Sequence, residues 1–167
     1  MEASQKLAPK KTNPRKERFL SNLPSQEFVS EISDVKGKLS FSFKYFDASQ
    51  EAGQDFKDWT DKQKQELLEK LRDYSRESKQ HWLNQRAGGG GMKILEIYGE
   101  FPTNTDFEYP KHIPEKVRWA RFRMESAMRL VGFFVPEDAV KELQLSSDIF
   151  YVVFLDKDHR FYKMENK

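Results

Sequence analysis

The chain has 167 residues, a formal net charge of +2 and no cysteine, a size that suits one domain. The missing thiols exclude disulfides, thiolate catalysis and cysteine-ligated zinc, and point to a reducing compartment. No apolar run reaches the roughly 18–20 residues of a membrane span, the basic N-terminus lacks the apolar stretch of a secretory signal, and 14 Phe, 6 Tyr and 3 Trp are enough to fill a core, so a folded cytoplasmic domain is expected.

Residues 1–18 hold Lys6, Lys10, Lys11, Arg15, Lys16 and Arg18 without periodicity and read as a disordered basic arm. Such an arm is either a solvated tail or a source of salt-sensitive affinity for nucleic acid. Residues 19–38 form an extension in which Phe28, Val29 and Ile32 suit a short helix capped by Ser25. The domain proper is expected over 39–167. It opens on Lys38–Phe46, whose alternation puts Leu39, Phe41, Phe43 and Tyr45 on one face of a half-buried strand.

From Phe56 to Gln85 the period becomes helical. Thr60 and Gln63 have capping-box spacing, and Leu67, Leu68, Leu71, Tyr74 and Trp82 form one stripe. Ser75–Ser78 is a point at which the segment can divide into two helices. His81 reads as a surface or cap residue. Gly88–Gly91 follows a helix and precedes an apolar run, the reverse of a phosphate loop, and is expected to be a flexible connector. Met92–Tyr98 reads as a strand, and residues 99–114, punctuated by Pro102, Pro110 and Pro114, read as a long loop of the kind that often carries function.

Val117–Met124 and Met128–Val135 are expected to pair as a hairpin across Glu125-Ser126-Ala127. Side chains two apart share a strand face, so Arg121 and Arg123 point one way while Arg118, Ala120, Phe122 and Met124 point the other. Arg129 lies near the turn, within reach of Arg123 across the hairpin. Clustered guanidinium groups repel unless an anion neutralises them. A phosphodiester matches their bidentate donors; pairing with Glu125, Glu137 or the acidic helix face is the alternative. Ile149–Leu155 is continuously apolar, as in a central strand buried on both sides. It ends in His159, a candidate general acid or base near neutral pH, with Arg160, Tyr162 and Lys163. Asp156, Asp158 and His159 in one turn are too few to carry a metal site, and no metal or cofactor is expected.

The run Arg121-Phe122-Arg123-Met124, a short turn and Met128-Arg129-Leu130-Val131, with a closing strand ending in His159-Arg160-Phe161-Tyr162, resembles the RelE/ParE-type toxin superfamily, small ribosome-dependent messenger-RNA endonucleases and their relatives. The resemblance implies an α+β fold: an antiparallel twisted sheet of four or five strands packed on one face by one long helix or a helical hairpin. It implies metal-free cleavage of mRNA by the substrate's own 2′-hydroxyl, with Arg129 on the scissile phosphate and His159 and Tyr162 moving protons. Arg121 and Arg123 would contact the messenger, and Arg118, Arg160 and Lys163 would add to the basic face. The ribosome and an antitoxin protein are the implied partners. The turn lacks the glycine usual in the family, and residues 88–114 and the first 38 residues have no counterpart there. Two rival readings use the same residues: a non-catalytic RNA- or protein-binding domain, and a structural domain whose arginines are merely paired.

Overall fold

The computed structural model describes residues 37–89 and 91–163, with Asn13 and Arg15. The expected basic arm (1–18) and the Ser25-capped helix of the extension therefore lie outside the described residues. The described fold is α+β: a five-stranded, mostly antiparallel open sheet with a few short helices. The strands are β1 (Ser40–Ser42), β4 (Leu95–Gly99), β5 (Arg118–Arg123), β6 (Arg129–Phe134) and β7 (Ile149–Asp156), in the order β1-β7-β6-β5-β4. β1 runs parallel to β7 and every other pairing is antiparallel. A separate two-stranded hairpin joins β2 (Arg86–Ala87) to β3 (Met92–Lys93). The helices among the described residues are a 3-10 turn at Phe56–Asp58, α1 (Asp61–Tyr74), α2 (Lys79–Asn84) and the single turn α3 (Val140–Leu143). Among the described residues no helix is long and apolar enough to cross a membrane.

The Thr60–Gln63 capping box forms as the spacing predicts, each side chain bonding the other residue's backbone N–H. One long helix does not form. The Ser75 hydroxyl donates back to the Leu71 carbonyl at 2.6 Å, and the Ser78 hydroxyl accepts from the His81 N–H to start α2. Serines that bond nearby backbone favour caps over helix interiors, which divides the segment here. Leu68, assigned to the buried stripe, is 66% exposed; the core is contacted instead through Leu67, Leu71, Tyr74 and Trp82.

The long strand expected over Lys38–Phe46 stops at Ser42. Its hydroxyl accepts from the Lys44 N–H and the chain turns, with the Phe46 N–H bonding the Phe43 carbonyl. Leu39 and Phe41 therefore join one core cluster and Tyr45 the other, while Phe43 is exposed. Met92–Tyr98 is likewise interrupted at Ile94 into β3 and β4. Gly88, Gly89 and Gly91 lie between the paired strands β2 and β3; Gly88 and Gly91 take φ of 65° and 70°, values that side-chain-bearing residues rarely adopt.

Both faces of the sheet are buried, not one. On the first, Ala120, Phe122, Leu130, Phe134, Phe150 and Val152 pack with Trp59, Leu67 and Tyr74. On the second, Trp119, Val131, Phe133, Tyr151, Val153 and Phe154 lie under Phe107, Ile113 and Phe161. The long loop over 99–114 thus serves as a lid of packed side chains. Phe161 is 1% exposed and packs on Trp119 and Phe107. Burying such a ring is worth roughly 1.5–3 kcal/mol, and it anchors the segment carrying His159 and Tyr162.

Candidate functional site

Strand register assembles the site. β5 pairs with β6 so that Arg123 stands opposite Arg129, and β6 pairs with β7 so that Arg129 stands opposite Asp156. β4 pairs with β5 so that Glu96 stands opposite Arg121. Arg121, Arg123 and Arg129 share the second face at the end of the sheet where the β5–β6 turn lies. The chain after β7 returns across the same end. A cavity of about 520 Å3 results, lined among others by Glu96, Tyr98, Arg121, Arg123, Arg129, His159 and Tyr162.

The three guanidinium groups are not equivalent. Arg121 donates to Glu96 Oε2 at 2.8 Å, to the Tyr98 hydroxyl at 3.0 Å and to the Lys93 carbonyl at 3.3 Å. Each of its three guanidinium nitrogens has a partner in the protein. Arg129 is 5% exposed, and its Nη1 donates to the Ser126 and Met128 carbonyls at 3.0 and 2.7 Å. Its Nε is buried without a partner, as is the Nε of Arg123. Neither Arg123 nor Arg129 is ion-paired among the described residues; Glu125 instead pairs with Lys70 at 2.9 Å. Burial, then the Arg123 and Arg121 charges, pull the Arg129 guanidinium down to about 10. It remains cationic at neutral pH, in a place that rewards an anion.

Asp156 shapes the other wall. It is 0% exposed, and its two carboxylate oxygens accept from the backbone N–H groups of Arg160 and Phe161, each at 2.9 Å. The loop folded over this carboxylate holds His159 at φ 58°, the left-handed region that costs a side-chain-bearing residue about 1–3 kcal/mol. Burial first, and the Arg129 charge second, hold the His159 imidazole below its ordinary pKa. Tyr162 stacks flat on Tyr98, centroids 4.8 Å apart and planes within 4°. Burial raises the Tyr98 phenol, so it stays protonated.

The structure therefore brings together Arg121, Arg123, Arg129, His159 and Tyr162. It does not bring Arg118, Arg160 or Lys163 to them. Arg118 lines a separate cavity of about 630 Å3 with Glu115 and Glu142, because it occupies the opposite end and face of β5. Arg160 and Lys163 both bind the Asp106 carboxylate, Arg160 at 2.9 Å; they tie the C-terminal segment to the long loop. Sequence reasoning missed Glu96, Tyr98 and the capping role of Asp156. Glu96 and Tyr98 alternate on one face of their strand, but only the register against β5 shows that this face meets Arg121. Among the described residues no group of three or more His, Asp or Glu side chains is arranged to hold a metal ion.

Comparison of the chain with protein-family models, with curated proteins and with solved structures finds no match.

Proposed function

We propose that this cavity is a phosphodiester site of the RelE/ParE type, which cleaves mRNA through the substrate's 2′-hydroxyl without a metal. The observation that carries the reading is the pair Arg123 and Arg129, two guanidinium-bearing residues opposite each other and without carboxylate partners among the described residues, beside His159 in one cavity. Adjacent like charges on a sheet are unfavourable by themselves and favourable around a bound anion. The fold is read in the same way, as RelE/ParE-like. This reading is supported by an α1–α2 helical pair preceding an antiparallel β4–β5–β6–β7 arrangement.

In the reaction, the neutral imidazole of His159 accepts the 2′-hydroxyl proton as the 2′-oxygen attacks the adjacent phosphorus. The P–O5′ bond breaks and the leaving oxygen takes a proton from the Tyr162 phenol. The products are a 2′,3′-cyclic phosphate and a 5′-hydroxyl end, and the proton on His159 returns to Tyr162 through solvent. Arg123 and Arg129 stabilise the charge that grows on the non-bridging oxygens. Arg121, held by Glu96 and Tyr98, positions this wall. The ribosome would present the message, and an antitoxin would cover the cavity in resting cells.

The test is cleavage of mRNA by the intact protein in the presence of a chelator, with and without ribosomes. The expected result is 2′,3′-cyclic phosphate ends that disappear with Arg129→Ala or His159→Ala. Salt-sensitive binding without cleavage in either condition would replace this reading with that of a non-catalytic RNA-binding domain.

A further inference from the structure

A second cavity of about 420 Å3 shares Arg123 and Met92 with the first and is otherwise its own. Its lining draws on the β2–β3 hairpin (Ala87, Gly88, Met92) and on the β5–β6 turn (Glu125, Ser126), while Ala127 of that turn lines the first cavity. The two cavities adjoin as a groove at Arg123 and Met92, the residues that line both. Each lies within the ~300–1,000 Å3 range of small-ligand clefts. The second cavity is edged by Trp82, Met92 and Ile94 and by the charged Lys70, Asp73 and Glu125, while the buried Tyr74 ring stacks on Phe122 with centroids 4.7 Å apart.

Two contacts hold this surface rigid. The Trp82 indole N–H donates to the Tyr74 carbonyl at 2.8 Å, and the Tyr74 hydroxyl donates to the carbonyl of Arg123. The aromatic surface is therefore tied to the same residue that faces the proposed phosphate. A guanidinium without a carboxylate partner among the described residues, beside a cleft edged by a part-exposed indole and by the polar heads of Lys70 and Asp73, offers single-stranded nucleic acid one part for backbone and one for a base.

We infer that the second cavity is a nucleobase subsite, which takes the base of a nucleotide adjoining the phosphate held by Arg123 and Arg129. The groove then reads single-stranded RNA as a unit of two nucleotides. This rests on the phosphodiester reading of the first cavity and adds the substrate's strandedness and a second point of recognition.

The chain contains its own probe. Trp59 and Trp119 are 2% and 1% exposed, whereas Trp82 is only partly buried and lines the groove. Tryptophan emission of the full chain is titrated with a dinucleoside monophosphate carrying 2′-deoxyribose on the 5′ side, which lacks the attacking hydroxyl. Inorganic phosphate is titrated in parallel through its effect on melting temperature. The dinucleotide is expected to quench Trp82 and to bind at least about tenfold more tightly than phosphate, the scale of one stacked base. Ala87 lines only the second cavity, so Ala87→Phe fills it and should cost the dinucleotide about tenfold while leaving phosphate within about twofold. Trp82→Phe removes the indole and should lose the emission change, which assigns the signal to this residue. Phosphate binding with no tighter binding of the dinucleotide, or with no loss in Ala87→Phe, overturns the subsite and leaves the anion site standing. Binding of neither ligand overturns both.

Discussion

Arg123 and Arg129 stand directly opposite each other across the β5–β6 ladder, and neither meets a carboxylate among the described residues, while Arg121 two positions away is locked to Glu96. Directly opposed like charges destabilise a strand pair by roughly 0.2–1 kcal/mol. Arg123→Gln is therefore expected to raise stability by about that amount at low salt, with the gain shrinking as salt screens the repulsion. Phosphate should raise the melting temperature of the native chain and have much less effect on the variant. Thermal melts at two ionic strengths, with and without phosphate, measure both effects. A destabilised Arg123→Gln protein that still responds fully to phosphate would remove the argument.

His159 sets a pH dependence. Its folded pKa lies below the ordinary histidine value of 6.5, so below that value the unfolded chain binds the proton more readily than the folded one. Stability contributed through this group is complete above about 6.5 and falls as the pH drops through the window below it. The same shift keeps the imidazole ready to accept a proton at neutral pH. A proton-NMR titration should show one of the three histidine resonances moving below the ordinary range, and His159→Gln should delete it.

Asp156 positions His159 through the loop it caps. Asp156→Asn keeps one carbonyl acceptor and removes the charge, leaving one of the two backbone N–H groups, those of Arg160 and Phe161, unsatisfied. The expected loss is about 1–3 kcal/mol in urea unfolding. Because the Asp156 charge raises the His159 pKa against the pull of burial and Arg129, the variant should move the His159 titration still lower. A purely structural role would lower stability and leave that titration unmoved.

Glu96 neutralises Arg121, whose side chain is 10% exposed. Glu96→Gln leaves a buried guanidinium without its counter-ion, and a cost of roughly 1–3 kcal/mol is expected. Arg121→Met combined with Glu96→Gln should cost less than the sum of the two separate changes, since partners in one ion pair are not additive. Urea denaturation of the four proteins in the cycle gives the coupling directly.

Gly132 sits where the β6–β7 register shifts. A Cβ built there would lie 2.1 Å from the Tyr151 carbonyl oxygen and 3.0 Å from the Phe150 ring. Backbone cannot yield as a flexible side chain can, so Gly132→Ala is expected to destabilise by about 1–3 kcal/mol. Loss of the native near-ultraviolet dichroism at lower urea would register it.

Local pattern accounts for much of this molecule. Alternation and apolar continuity place the β5–β6 hairpin and the buried β7. The Thr60–Gln63 spacing places the start of α1. Where the pattern misleads, a hydroxyl is usually responsible: Ser42 ends β1 early and Ser75 ends α1, each by bonding backbone nearby, an option that periodicity of apolar residues does not register.

The site divides in the same way. That Arg121 and Arg123 share a face follows from the two-residue repeat of a strand, and that Arg129 approaches Arg123 follows from the short turn. Sequence alone could not separate the three arginines, because partnership depends on which strand lies alongside. Only the β4–β5 register commits Arg121 to Glu96, only the Asp156-capped turn brings His159 back over Arg129, and only the reach of Asp106 draws Arg160 and Lys163 away. Charge and shape repeat locally along the chain, whereas counter-ions are assigned by contacts between segments far apart in it.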